Sequence, residues 1–251
     1  MKQKIILLLF GISVVIPLMG QAKKTLSLYQ SCDKNTIVKT ANGGTYRGYG
    51  FVDLGLSVMW ATTNVGASSE EEAGGYYCWA MTYTPSNSDY KAENYKYYYV
   101  QTNKTWTKKY ITYSEGSNGW AVDNLTTVEP VDDAAFKSWG GNWRMPTAAE
   151  AQELLDNCTL TWETVNGVKG CRFTSNVAGY TNRSIFLPAA RYKYSTYTGY
   201  YEYGYYWTSS LTTGNTNNSN AKKLYFNNTP TGSVSNQGRT DGLTIRPVFA
   251  F

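Results

Sequence analysis

The chain has 251 residues, no histidine, four cysteines and 23 tyrosines, is 42% apolar and 16% charged, and carries a formal net charge of +5. The missing imidazole excludes Ser-His-Asp and Cys-His catalysis, histidine acid-base chemistry and histidine-ligated zinc, copper or iron. Lysines and arginines are scattered along the chain, so nucleic acid is not an expected partner.

Lys2 and Lys4, an apolar run over 5–19, and the small residues Gly20 and Ala22 around a cleavage point read as a secretory signal peptide spanning 1–22. The run is short for a membrane span and no other stretch is comparably apolar, so no transmembrane span is expected after cleavage. The product is expected to be secreted, periplasmic or on the outer cell surface, with a net charge of +3 once Lys2 and Lys4 are gone. Lipid anchoring at Cys32 is the rival reading. Its distance from the apolar run, behind Lys23 and Lys24, speaks against it.

Residues 23–46 are polar and patternless, a lead or linker with room for one edge strand, and the body of the protein is expected over 47–251 as one domain. Alternation over 51–61 predicts one or two short strands broken at Gly55. Ser68 and Ser69 before Glu70, Glu71 and Glu72 predict a short helix ended by Gly74-Gly75. Residues 83–122 form a Tyr-, Asn- and Thr-rich insertion that is expected to pack its aromatics locally. Asp132 and Asp133 are expected to cap a short helix through Lys137. Thr147 and Glu150 form a capping box after Pro146, with Ala151, Leu154 and Leu155 as the apolar stripe. A hairpin of 159–165 and 168–174 turns on Asn166-Gly167. Candidate strands follow at 184–190, 205–210, 222–227 and 242–249. Strands, a few short helices and then a strand-and-loop half argue an α+β fold of short antiparallel sheets, two or three short helices and long loops.

Five blocks resemble a known family. They are 51–67 (Phe51-Val52-Asp53-Leu54-Gly55-Leu56 through Trp60-Ala61-Thr62 to Asn64-Val65-Gly66-Ala67), Trp139-Gly140-Gly141-Asn142-Trp143-Arg144-Met145-Pro146-Thr147, Ile185-Phe186-Leu187-Pro188-Ala189-Ala190, Tyr206-Trp207-Thr208-Ser209-Ser210 and Gly242-Leu243-Thr244-Ile245-Arg246-Pro247-Val248. In this order they resemble the Fibrobacter succinogenes major paralogous domain proteins, abundant as exported proteins of Bacteroidetes. The resemblance implies a C-type-lectin-like fold of the formylglycine-generating-enzyme subclass, in which the first and last strands meet and long loops present a ligand surface. Two positions depart from the family: Cys78-Trp79-Ala80-Met81-Thr82 stands where Ala-Trp-Gly-Glu-Thr is common, and Phe136 where histidine is frequent.

Most polar motifs read as structural. Arg144 is expected to pair with Asp132 or Asp133, Arg246 has a similar structural role, and Glu150, Glu153 and Asp156 form a solvated helix face. Cys78 between aromatics reads as a buried thiol. A bond between Cys158 and Cys171 is disfavoured, because the hairpin register sets Cys171 opposite Trp162 and Cys158 roughly 13 Å further along at strand rise. No metal or other cofactor is expected: Asp-rich calcium loops are absent, Glu129-Pro130 is followed by Val131, and the paired copper-site cysteines of formylglycine synthesis have no counterpart near the C-terminus.

The tyrosines remain. Eight of the fifteen residues from Tyr192 to Tyr206 are Tyr, followed by Asn- and Thr-rich loops. Rigid amphipathic rings among small polar residues are the composition of adaptable binding surfaces. The expected function is a non-enzymatic binding module for a protein or glycan. Its candidate ligand-binding residues are Arg191, Tyr194, Tyr197, Tyr200, Tyr201, Tyr203, Asn215, Asn217 and Asn218, in loops open to retroelement diversification. A structural adhesin or fibre subunit is one alternative. A carboxylate-dependent glycan hydrolase using Glu202 and Asp241 is the other.

Overall fold

The computed structural model describes residues 7–9, 12–14, 37–85, 89–101, 104–113, 121–194, 197–198, 202–214 and 218–251. Two short strands near the start, β1 (Leu7–Leu9) and β2 (Ile12–Val14), pair with each other. The body is α+β, mostly antiparallel, with two short helices. Its first sheet runs β17-β6-β5-β4-β3, where β3 is Ile37–Lys39, β4 Gly43–Tyr46, β5 Tyr49–Val52, β6 Met59–Ala61 and β17 Val248–Phe249. The sheet therefore begins at residue 37: β3 at its edge and β4 inside it both lie in the stretch expected as a lead with room for one edge strand. Strands β5 and β6 flank the break expected at Gly55, whose φ of 76° needs a residue without a Cβ.

Asn166 (φ 48°) and Gly167 (φ 83°) form the two-residue turn joining β9 (Cys158–Val165) to β10 (Val168–Ser175). Cys171 faces Trp162 and Cys158 faces Ser175, the register the sequence implies. Cys78, Cys158 and Cys171 are all free and buried; Cys32 lies outside the described residues. Strand β11 (Ser184–Pro188) completes this three-stranded sheet. A second three-stranded sheet is β14 (Tyr203–Leu211), β15 (Asn220–Asn227) and β16 (Gly232–Gly238). Strand β16 escapes the sequence patterning because Gly-Ser-Val-Ser-Asn-Gln-Gly holds a single large apolar residue. Of the stretch 242–249, only β17 is a regular strand; Gly242, Leu243 and Thr244 make isolated bridges to Lys193, Tyr77 and Tyr206.

Helix α1 (Ala134–Trp139) is capped by Asp133, whose Oδ1 accepts from the backbone of Ala135 and Phe136. Helix α2 (Ala148–Asn157) starts with the Thr147/Glu150 capping box and buries Ala151 and Leu154. Arg144 pairs with Glu150, through Nη1 at 2.8 Å and Nη2 at 2.6 Å, rather than with Asp132 or Asp133. A fork-shaped donor meets a carboxylate that the capping box already holds in place, whereas Asp133 is occupied by backbone N–H groups. Glu153 accepts from the Ser57 backbone and hydroxyl, so the acidic face of α2 is tied to the β5–β6 loop and is not simply solvated.

No helix forms at 68–73. Asn64 Nδ2 donates to the carbonyls of Glu72 and Ala73, fixing them in a turn, and Gly74 follows at φ 70°. Nor is the 83–122 segment a locally packed appendage. Tyr90, Tyr95, Tyr97 and Tyr110 are buried in one core with Trp79, Trp207 and Leu243, and β7 (Tyr98–Gln101) pairs with β8 (Lys104–Thr107) as a hairpin whose Tyr98 packs against that core.

Two buried charged side chains hold this insertion. Arg239, fully buried, donates to Tyr95 Oη and to the carbonyls of Lys109, Tyr110 and Asn218, with its guanidinium 4.9 Å from the Trp79 ring. Asp132, 1% exposed, accepts from Tyr97, Tyr110, Lys96 and Lys109. Only Asp133 of the expected pair is a cap. At the other end of the core, Arg246 reaches Asn64 and the carbonyls of Ala61, Thr62 and Phe186, holding β6 to β11 without any carboxylate in its hydrogen-bond set. No helix among the described residues is long and apolar enough to cross a membrane.

Candidate ligand-binding surface

Strand β14 alternates. Gly204 and Tyr206 pack inward against Phe226, and Tyr203 and Tyr205 stand on the opposite face, half-buried. On β15, Tyr205 faces Tyr225 and Trp207 faces Lys223, so Tyr203, Tyr205, Trp207, Lys223 and Tyr225 share that face, with Trp207 inside the core and Tyr192 and Tyr205 packed against it. The rings of Tyr203 and Tyr225 stack at 5.9 Å, Tyr205 and Tyr225 meet edge to face at 5.3 Å, and Tyr192 meets Tyr205 at 5.1 Å. Such geometries add modest attraction to area burial and fix ring positions. The Lys223 ammonium lies beneath, 4.9 Å from the Tyr205 centroid.

Lys223 is itself braced. It donates to Gln237 Oε1 at 2.5 Å and to the Asn236 carbonyl, while Gln237 Nε2 donates to Asp241. Burial pushes the Lys223 amine down to about 8 against the pull of Asp241, and burial pushes the Asp241 carboxyl up to about 6 against Gln237 and Lys223. The result is a four-tyrosine patch of mutually contacting rings over a hydrogen-bonded set of polar groups held partly out of water.

No family model, curated protein or solved structure matches this chain.

The residues named from sequence divide into three groups. Tyr194 is exposed on β12 (Lys193–Tyr194), Tyr203 belongs to the patch, and Arg191 is partly buried on the wall of a neighbouring cavity. Tyr197 falls in β13 (Tyr197–Thr198), which pairs with β12, but its side chain lies outside the described residues, as do Tyr200, Tyr201, Asn215 and Asn217. Asn218 does not belong with a solvent-facing set. It is 1% exposed, its Oδ1 accepts from the Thr112 backbone and hydroxyl, and its Nδ2 donates to the Tyr113 carbonyl. An amide between Asn217 and Ser219 has the composition of a loop, and its burial comes from the insertion it anchors. Tyr192, Tyr205, Lys223 and Tyr225 complete the patch. Pairing 203–207 with 223–227 on alternation alone would have found Tyr225.

The other polar candidates are committed elsewhere. Burial pushes the Cys78, Cys158 and Cys171 thiols up to about 12, away from thiolate chemistry. Arg144 is held by Glu150, and the buried Arg246 by Asn64 and three backbone carbonyls.

Proposed function

We propose that this chain is an exported, non-enzymatic binding module and that the Tyr192, Tyr203, Tyr205 and Tyr225 face receives its ligand. One observation carries the reading: four half-buried tyrosine rings lock one another in place on one sheet face, above a braced lysine. Pre-positioned rings present large contact area at little cost in rotamer entropy. The five sequence blocks shared with the Fibrobacter succinogenes major paralogous domain proteins support a C-type-lectin-like scaffold. So does the pairing of the C-terminal Val248 with Trp60 near the start of the body. The export reading rests on the character of residues 1–22.

The test is a glycan array and a cell-surface binding assay with the chain and with a Tyr203→Ser, Tyr205→Ser, Tyr225→Ser variant, alongside Tyr194→Ser. The triple variant loses binding and keeps a cooperative melting transition. Binding that survives the triple substitution removes the tyrosine face from consideration.

One feature favours a second reading. Asp241, with its carboxyl raised to about 6, has the protonation behaviour of a general acid. A hydrolase would lose turnover on substitution of Asp241 by Asn at unchanged affinity, whereas a binding module has no turnover to lose. Glu202, the other acidic residue considered, is exposed.

A further inference from the structure

Beside the tyrosine face lies a cavity of about 480 Å³. The turn over 66–74 supplies one wall, with Glu71 and Glu72; the strand end at Pro188 and the following Arg191 supply the other; Tyr76 and Val168 contribute rings and methyls. It adjoins the tyrosine patch directly, because the Tyr205 N–H donates to the carbonyl of Ala190, another wall residue, and Tyr192 packs on Tyr205. Lys193 stands at its margin, 4.3 Å from the Tyr76 centroid.

The cavity carries both signs of charge. Glu71 accepts from Asn166 Nδ2 at 2.9 Å and Glu72 from the Ser68 N–H at 2.6 Å, so both carboxylates are positioned by neutral donors and keep acceptor capacity. The hydrogen bond from Asn166 holds the Glu71 carboxyl below its usual range, and it stays ionised. Burial and then the Arg191 charge push the Lys193 amine down. A ligand of one net charge is attracted by one side of this cavity and repelled by the other, whereas a neutral polyhydroxyl ligand can use both: its hydroxyls can donate to the Glu71 and Glu72 carboxylates and accept from the Arg191 guanidinium, while a C–H face can lie on Tyr76, Val168 and Pro188. The volume admits a disaccharide rather than a single small ion.

We infer that this cavity is a subsite for a neutral saccharide, with Glu71 and Glu72 as hydroxyl acceptors, Arg191 as hydroxyl donor and Tyr76 as the apolar wall. The inference rests on the binding-module reading and narrows its ligand from protein or glycan to glycan.

The test is calorimetric titration of the full chain with neutral disaccharides built from glucose, galactose, mannose and N-acetylglucosamine. Glucuronic acid, glucosamine and glycine serve as the anionic, cationic and zwitterionic probes. At least one neutral disaccharide binds, and Tyr76→Ala and Arg191→Gln each weaken it about tenfold or more. Arg191→Gln, at a partly exposed position, keeps the test open if Tyr76→Ala unfolds. Tighter binding of a charged probe overturns the inference, as does silence from every disaccharide, or binding indifferent to both substitutions. Array binding lost in the Tyr203/Tyr205/Tyr225 variant but kept in both cavity variants also overturns it while leaving the binding-module reading intact. Array binding absent from the unsubstituted chain defeats both.

Discussion

Arg239 Nε donates to the hydroxyl of Tyr95 at 3.0 Å, joining the loop after β16 to the insertion that precedes it by more than a hundred residues. The same guanidinium satisfies three backbone carbonyls of Lys109, Tyr110 and Asn218. Replacing it with methionine keeps much of the volume and leaves those carbonyls without donors, at a cost of about 3 kcal/mol. Lysine cannot reproduce the fork and recovers little of the loss. Denaturant unfolding measures both variants; a loss under ~1 kcal/mol for Arg239→Met would mean that water replaces the guanidinium without consequence.

Acid unfolding should begin at Asp132. Burial alone would raise this carboxyl, but hydrogen bonds from Lys109, Tyr97, Tyr110 and Lys96 outweigh it and hold it at about 2, below the ordinary 3.8. A depressed folded-state value gives stability that is present above pH 4 and disappears as pH falls towards 2, amounting to about 2 kcal/mol. Asp132→Asn is therefore less stable than the parent at neutral pH, and the two curves converge near pH 2. Parallel stability curves across that range would rule out this carboxylate as the acid-sensitive group.

The opposite sign holds at Asp241. Its folded-state value, raised from 3.8 to about 6, means that the native state binds the extra proton between pH 4 and 6. Stability falls across that window as pH rises, by about 3 kcal/mol from this group. Lys223, lowered from 10.5 to about 8, makes stability rise between pH 8 and 10.5, where the unfolded chain holds the proton and the native state has lost it. Asp241→Asn flattens the acid arm and Lys223→Met the alkaline one, measurable as melting temperature against pH. Neither slope changing would contradict their burial.

Gly204 and Phe226 are register partners, and a Cβ on Gly204 would sit 2.1 Å from the Phe226 ring. That ring is fully buried and cannot retreat. Gly204→Ala overpacks the sheet by about 1–3 kcal/mol and tilts the strand that carries Tyr203 and Tyr205. Both stability and ligand affinity should fall. Full retention of affinity would show that the patch tolerates a shift of its strand.

Local rules made much of the fold legible. The Asn166-Gly167 turn set the register of β9 and β10, and Thr147 with Glu150 marked the start of α2, because both signals act within a few residues. What stayed hidden was set by side chains outside the local patterns, some near in sequence and some far. The 68–73 segment has good helix-capping chemistry, yet Asn64 captures its carbonyls. Arg144 pairs with Glu150 and not with the two aspartates because those are already engaged, Asp133 by backbone N–H groups and Asp132 by lysines and tyrosines. Asn218 and the buried tyrosines of 90–110 share the composition of surface loops, and only Arg239 and Asp132, far along the chain, explain why they are inside. The tyrosine patch was half visible: the segment around 192–206 stood out by composition, but Tyr225 and Lys223 joined it through strand pairing.

The pairing of Val248 with Trp60, together with the reach of Arg246 to Ala61 and of Arg239 to Tyr95, has a kinetic side. Each of these closures joins residues more than 140 positions apart, so a chain emerging from the ribosome cannot complete either half of its core until residues 239–249 have been made. Contacts of such sequence separation form slowly. The slow step of folding is therefore expected at these closures rather than at the local turns and caps.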